Sequence, residues 1–105
     1  ATASADTFVD GVACRTPDPR AVAVLHAGLA RVVRVGEEDA AAAMALMYRA
    51  THNLAEPAGS LALAGLLAER DRVAGRRVAV VHTGGNADFD VLARALSTAA
   101  PTVGP

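Results

Sequence analysis

The residues with the clearest chemical potential lie in the stretch 78–90, which reads VAVVHTGGNADFD. Its first four residues are apolar and three of them are β-branched, which predicts a short buried strand at 78–81. Thr83 and two adjacent glycines follow, and Asp88 then precedes apolar residues at helical spacing. Paired glycines let a backbone approach a ligand closely, and a helix start offers unpaired N–H groups. Residues 83–86 therefore have two interpretations, a cofactor or anion site and a tight strand-to-helix connection.

This glycine turn differs from the common phosphate-binding loops. The loop GxxxxGK followed by Ser or Thr requires a lysine, and the whole chain contains no lysine. Gly84 and Gly85 are adjacent, so their spacing also departs from GxGxxG. Neither motif accounts for the turn.

Glu56 is a second candidate, because it precedes Pro57 at the start of a run, 58–68, that is apolar on nearly every side. Such a run predicts a buried helix, and proline favours the first helical position. The carboxylate either interacts with the helix dipole or faces a ligand from the end of the helix. The second interpretation stays open because a carboxylate at a buried helix end must find partners.

Composition limits the classes of protein to which the chain can belong. The 105 residues form one domain at most, and 52% hydrophobic residues with a net charge of −1 indicate a globular protein without a nucleic-acid surface. No apolar run approaches the roughly 20 residues of a membrane-spanning helix, so we expect no membrane association. The single cysteine, Cys14, excludes an internal disulfide and suits a reducing compartment, which predicts a cytoplasmic protein. The three histidines lack metal-site spacing, so no metal is expected.

The apolar pattern predicts an α/β protein with the element order β-α-β-α-α-β-α. Residues 1–6 and 98–105 are expected to be a loose N-terminal segment and a flexible tail. The predicted strands are 7–9, 32–35 and 78–81, and the predicted helices begin near Pro19, Glu37, Pro57 and Asp88.

Three stretches of the chain share a family resemblance. TFVDGVACRTP at 7–17 is similar to T-x-A-D-G-I/V-A, and THNLAEPAGSLALAGLL at 51–67 is similar to E-P-A/S-G-A-A-A-L-A-A-L-L. VAVVHTGGNADFDVLARAL at 78–96 is similar to V-V-I/L-S-G-G-N-I/V-D. Together, and in this order, they resemble the C-terminal segment of the threonine/serine dehydratase (threonine ammonia-lyase) family of pyridoxal-phosphate enzymes, over residues 2–97.

The resemblance implies a fold and a set of site residues. The fold would be a partial three-layer sheet, with 7–97 as the C-terminal part of the large catalytic domain of a tryptophan-synthase-β-like enzyme. Thr83 stands where the family places a Ser or Thr hydroxyl at the pyridine nitrogen, and Glu56 stands where a carboxylate faces the ring. Gly11 stands in a turn beside the ring, where a side chain would collide. The turn under the pyridine edge would be shaped by Gly84, Gly85 and Asn86.

The resemblance also implies an activity that this chain is not expected to perform alone. The family deaminates Thr or Ser to a 2-oxo acid and ammonia by β-elimination of the hydroxyl, with pyridoxal phosphate attached to a Schiff-base lysine. The chain has no lysine and no glycine-rich phosphate loop, so none of its residues is expected to be catalytic. We therefore expect it to act with a missing N-terminal part of the same enzyme, on a small amino-acid substrate, and as a homo-oligomer.

Two other interpretations of the whole chain stay open. One is an autonomous small α/β module that binds a phosphate or a nucleotide through residues 83–86 and helix N-termini. The other is a structural or interaction domain without catalysis, whose resemblance to the family is inherited.

Overall fold

The computed structural model describes residues 4–97, which fold as helices joined by irregular segments. Four helices begin where the sequence predicts, because their starts combine polar capping positions or an N-terminal proline with apolar residues at helical spacing. Within 4–97, no helix is long and apolar enough to cross a membrane. The elements are a 3₁₀ turn (Asp10–Val12) and the helices α1 (Pro19–Gly28), α2 (Glu37–Thr51), α3 (Pro57–Ala68), α4 (Arg70–Val73) and α5 (Phe89–Leu96).

The predicted α/β fold with a partial three-layer sheet is wrong for the described part of the chain, because no residue in 4–97 forms a strand. The predicted strands at 7–9, 32–35 and 78–81 are irregular, and no backbone hydrogen bond among the described residues pairs them. An apolar run indicates a tendency to be buried, but a strand also needs a neighbouring strand to pair its N–H and C=O groups.

Two of these irregular segments border an open cleft along α3, which we call the α3 cleft. It is lined by Val33, by Gly65 and Leu66 of α3, and by residues 78–81. Val81 remains 73% exposed there. The apolar runs thus lie beside a helix without being covered.

The core is built from small side chains where α2 packs against α3 and α5. Ala41 and Met44 of α2 meet Ala95 of α5, and Phe8 and Leu92 pack at the margin. Alanine lets helix backbones approach closely, so a chain with 3% aromatic residues can pack its helices without large side chains. The buried apolar residues are Val9, Ala40, Ala41, Ala43, Met44, Ala45, Ala55, Ala64 and Ala95.

α3 is buried on part of its surface only, although its sequence predicts a helix buried on every side. Gly59, Ser60 and Ala64 are buried, whereas Ala62 is exposed. The face along the α3 cleft is only partly covered. The apolar surface of α3 is therefore larger than the part of it that the described residues cover.

α1 is stabilised locally rather than by the core. The Asp18 Oδ1 accepts a hydrogen bond from the N–H of Arg20 at 2.8 Å, and Pro19 occupies the first helical position. No residue of α1 is buried, and Leu25 on its apolar face is 50% exposed. Pro19, which predicts the start of α1, thus lies next to the Asp18 cap that holds this start.

Candidate functional site

Three segments that are distant in sequence meet at the N-terminus of α3. The N–H of Glu56, the residue before α3, donates a hydrogen bond to the carbonyl oxygen of Gly84 at 3.1 Å. Gly11 lies so close to α3 that a Cβ built on it would be 2.8 Å from the Cβ of Ala58. The structure therefore brings together the 3₁₀ turn, Glu56 and the glycine turn at 83–86.

The backbone conformation at Gly84 favours glycine. Its φ of +37° lies in the left-handed region. A Cβ at this position would also be 3.2 Å from the Cδ of Glu56 and closer still to the Oε1 of that side chain. The positive φ agrees with the interpretation as a tight connection, and that interpretation is compatible with a ligand at the same turn.

Gly85 and Gly59 let the glycine turn lie close to the segment before α3 and to the first turn of α3. A Cβ on Gly85 would be 2.7 Å from the carbonyl oxygen of Leu54. A Cβ on Gly59 would be 2.8 Å from the carbonyl oxygen of Gly84 and would overlap that of Thr83. Two sequence signals point to Gly59: it falls on the glycine of the E-P-A/S-G pattern that this stretch resembles, and a glycine in the first turn of an apolar helix is costly unless another segment approaches it.

Glu56 is the N-cap residue of α3, but its side chain caps no N–H group of the helix. The carboxylate instead lies beside Gly84, and the residue is half-buried. The carboxylate is still close to the positive end of the helix dipole. This position is compatible with the interaction with the helix dipole, and the interpretation of Glu56 as a carboxylate that faces a ligand stays a prediction.

A polar cavity of about 190 Å³ lies beside the glycine turn. Asp10 of the 3₁₀ turn lines it together with Asn86 and Asp88, which precede α5. Thr83 does not line this cavity and is exposed. Thr83 is therefore accessible to a ligand outside this cavity.

The 3₁₀ turn that contains Gly11 is held by the residues before it. Val9 is 4% exposed, and the N–H of Phe8 donates to the Oε1 of Glu37 at 3.2 Å. The guanidinium carbon of Arg94 lies 4.4 Å from the centre of the Phe8 ring, within the range of a cation–π contact. α2 and α5 therefore both restrain the chain that leads into the turn.

The histidines near these turns have other surroundings. His52 ends α2 in the left-handed conformation, with φ of 57°, and its ring packs edge-on against Tyr48. His82 is exposed just before the glycine turn. Within residues 4–97, no group of three or more His, Cys, Asp or Glu side chains could hold a metal ion. The groups offered at the α3 N-terminus are a hydroxyl, carboxylates, an amide and backbone.

Comparison with known proteins places these residues in a family. The sequence model of the family described as pyridoxal-phosphate dependent enzyme matches residues 1–84, which include Gly11, Glu56 and Thr83. An L-threonine ammonia-lyase of Thermotoga maritima is 31% identical over 91 residues, which are 87% of this chain and 22% of that protein. The L-threonine dehydratase biosynthetic IlvA of Bacillus subtilis is 31% identical over 84 residues, which are 80% of this chain and 20% of that protein.

The chain thus spans about a fifth of the length of the curated relatives it matches. Members of this family use pyridoxal phosphate, which confirms the cofactor class that the sequence resemblance implies. On the family match and on the identity over most of its length, the chain belongs to the family of pyridoxal-phosphate dependent enzymes.

Proposed function

We propose that this chain is the C-terminal portion of a threonine/serine dehydratase-like lyase. The reaction would remove the β-hydroxyl and the amino group of a hydroxy amino acid, giving a 2-oxo acid and ammonia. The proposal rests on the hydrogen bond of 3.1 Å between the Glu56 N–H and the Gly84 carbonyl oxygen. This bond joins the two segments that the resemblance assigns to the cofactor ring, although they are far apart in sequence.

The groups at the α3 N-terminus fit the pyridine part of the cofactor. Thr83 is an exposed residue and offers a hydroxyl, and Glu56 is half-buried and offers a carboxylate. Gly84 and Gly85 let the turn pack closely against Glu56 and the carbonyl oxygen of Leu54, which a Cβ on either glycine would approach too closely. When bound, pyridoxal phosphate supplies an electron-accepting ring that stabilises negative charge on the substrate. Thr83, Glu56 and the backbone of 84–86 would hold that ring.

The Thr83 hydroxyl would leave the charge of the ring nitrogen free to vary. A hydroxyl can donate to an unprotonated nitrogen or accept from a protonated one. A carboxylate in its place would keep the proton on the nitrogen. We propose that the neutral partner favours loss of the β-hydroxyl over reactions that need the negative charge held on the ring.

The lysine and the phosphate loop of the family would come from polypeptide outside these 105 residues. The chain contains no lysine, so its own contribution would be to bind and orient the cofactor ring. The partner would be the N-terminal part of the same enzyme, since the relatives are about five times longer than the matched segment. Association into a homo-oligomer and a cytoplasmic location stay predictions.

Reconstitution tests this proposal. The chain is combined with a family polypeptide that contains the lysine and the phosphate loop, and 2-oxo acid release from L-threonine and L-serine is measured. Activity is expected only when both parts are present. Thr83→Ala should lower it by about tenfold or more, because one hydrogen bond to a polar ring atom is lost. Thr83→Ser, which keeps the hydroxyl, is the matched control and should stay close to the parent.

Two results would contradict the proposal. One is a reconstituted assembly that binds pyridoxal phosphate but releases no 2-oxo acid from either amino acid. The other is a Thr83→Ala variant as active as Thr83→Ser, which would show that the Thr83 hydroxyl has no role in the reaction. The alternative, an autonomous module that binds a phosphate or a nucleotide, is tested by calorimetry of the isolated chain with inorganic phosphate and with ATP. This alternative requires measurable heat of binding without any partner polypeptide.

A further inference from the structure

We infer that Gly59 is a positioning residue for Thr83. Gly59 is buried in the first turn of α3, and the carbonyl groups of Thr83 and Gly84 lie against it. The missing side chain lets the glycine turn lie at one fixed depth on α3, and this depth sets where Thr83 presents its hydroxyl. The expected effect of Gly59 on cofactor binding rests on the proposed function, whereas its expected effect on the position of the glycine turn does not.

Any side chain at position 59 would collide with backbone atoms. A Cβ would be 2.8 Å from the carbonyl oxygen of Gly84 and 3.0 Å from the carbonyl carbon of Thr83, and nearer still to the oxygen of Thr83. Backbone atoms cannot rotate out of the way as the end of a flexible side chain can. The chain at 83–84 would therefore have to move as a unit.

α3 cannot relieve the collision by withdrawing from the turn. Ser60 is fully buried, and its hydroxyl lies 3.1 Å from the carbonyl oxygen of Ala40 in α2. Ala64, one turn further along α3, is 3% exposed. The exposed glycine turn is restrained less than this packed helix, so a side chain at 59 would displace Thr83.

Gly65 provides a matched control in the same helix. A Cβ on Gly65 would have nothing within 4 Å. Alanine favours a helix over glycine at either position, so helix propensity predicts the same effect for both substitutions. Steric positioning predicts a displaced turn for Gly59→Ala alone.

NMR of the 105-residue chain tests the contact and the displacement. In the parent, the Hα protons of Gly59 should show NOEs to protons of residues 83–85. In Gly59→Ala, the resonances of 83–86 should shift. The Glu56 amide, whose acceptor is the Gly84 carbonyl, should exchange about tenfold faster because its hydrogen bond is strained or lost. Gly65→Ala should match the parent in both measurements.

Absence of those NOEs in the parent would overturn the inference, whether or not the Gly59→Ala variant folds. A folded Gly59→Ala chain with the turn resonances and the Glu56 exchange rate of the parent would overturn it as well.

The cofactor consequence is measured in the reconstituted enzyme. Gly59→Ala should weaken pyridoxal-phosphate binding about tenfold, read from the absorption of the bound cofactor. The control in this assay is Gly28→Ala at the end of α1, outside the α3 cleft, where a Cβ would have nothing within 4 Å, and it should bind like the parent. If the parent binds no cofactor, the proposed function fails and the result for the turn stands. If the parent and Gly59→Ala bind it equally although the turn has moved, the positioning of Thr83 toward the cofactor is overturned.

Discussion

Ser60 links the two helices on which the candidate site depends. Its hydroxyl lies 2.8 Å from the carbonyl oxygen of Pro57, at the start of α3, and 3.1 Å from that of Ala40, at the start of α2. The motif that this stretch resembles has alanine at the position. A buried hydroxyl needs a hydrogen-bond partner, so serine here ties the first turn of α3 to α2 in one orientation.

Ser60→Ala should therefore lower the free energy of unfolding by about 1 kcal/mol, the net value of one buried hydrogen bond. Urea denaturation followed by circular dichroism measures it. Ser97→Ala is the control, because the exposed Ser97 hydroxyl also bonds a helix carbonyl, that of Ala93, without joining two helices. Its effect should be within about 0.5 kcal/mol. Equal losses for the two variants would show that the link between helices adds nothing.

The sequence explains the backbone conformation at one candidate site residue, whereas the contacts of the others arise only in the folded chain. Two adjacent glycines predict a positive φ, and Gly84 has one. Gly59 is different, because its need to be glycine arises from Thr83 and Gly84, which approach it only in the folded chain. Likewise, the position of Glu56 at a helix start is visible in the sequence, while its contact with Gly84 is not.

Among the elements, α1 depends on its N-cap more than on packing. The side-chain hydrogen bond from Arg20, followed by the bond from the Arg20 backbone N–H, holds the pKa of Asp18 below its usual value. The same pair raises the pKa of Arg20. A carboxyl group whose pKa is lower in the folded than in the unfolded state stabilises the fold above its unfolded-state pKa. This stabilisation is lost as the pH falls through the folded-state value.

The helicity of α1 should accordingly be constant near neutral pH and fall only in acid, as the pH drops below the ordinary aspartate pKa of about 3.9 and through the lower pKa that Asp18 has in the folded chain. NMR Cα shifts of residues 20–24 against pH measure this for α1 alone, without requiring the core to unfold. Asp18→Asn keeps a capping oxygen and removes the titrating group, so its α1 shifts should be flat over the same range. Equal pH dependence in the parent and Asp18→Asn would assign the change to another group.

Helices and strands differ in how much of their stability is local. α1 and α2 are recognisable from a proline or acidic residues at their starts and from apolar spacing, and both form where predicted. The runs at 32–35 and 78–81 have strand composition, but no described residue pairs with their backbones. Local pattern can therefore predict a helix outright, whereas it predicts a strand only on condition that a neighbouring strand exists.

Residues 4–97 bury a core of small side chains and leave many larger apolar side chains exposed. Residues 78–81 and the face of α3 with Leu66 line the open α3 cleft. Under the proposed function, the polypeptide with the lysine and the phosphate loop would cover this cleft, because burial of apolar surface is favourable. Among residues 4–97, the most exposed large apolar residues are Phe89 (81%), Val32 (77%), Val24 (73%) and Val81 (73%).

Hydrogen exchange in the two states of the molecule tests this arrangement. In the dilute isolated chain, the amides of 78–81 should exchange at nearly unprotected rates, whereas those of 41–45 in the buried part of α2 should be slow. Adding the complementary polypeptide should protect 78–81. Val81→Lys should weaken that association by about tenfold or more, because it places a charge in the covered surface. Val24→Lys, at a valine with the same exposure but on α1, should leave it unchanged. Protection of 78–81 already present in the dilute isolated chain would contradict the assignment, since these residues would then have a pairing partner within the chain.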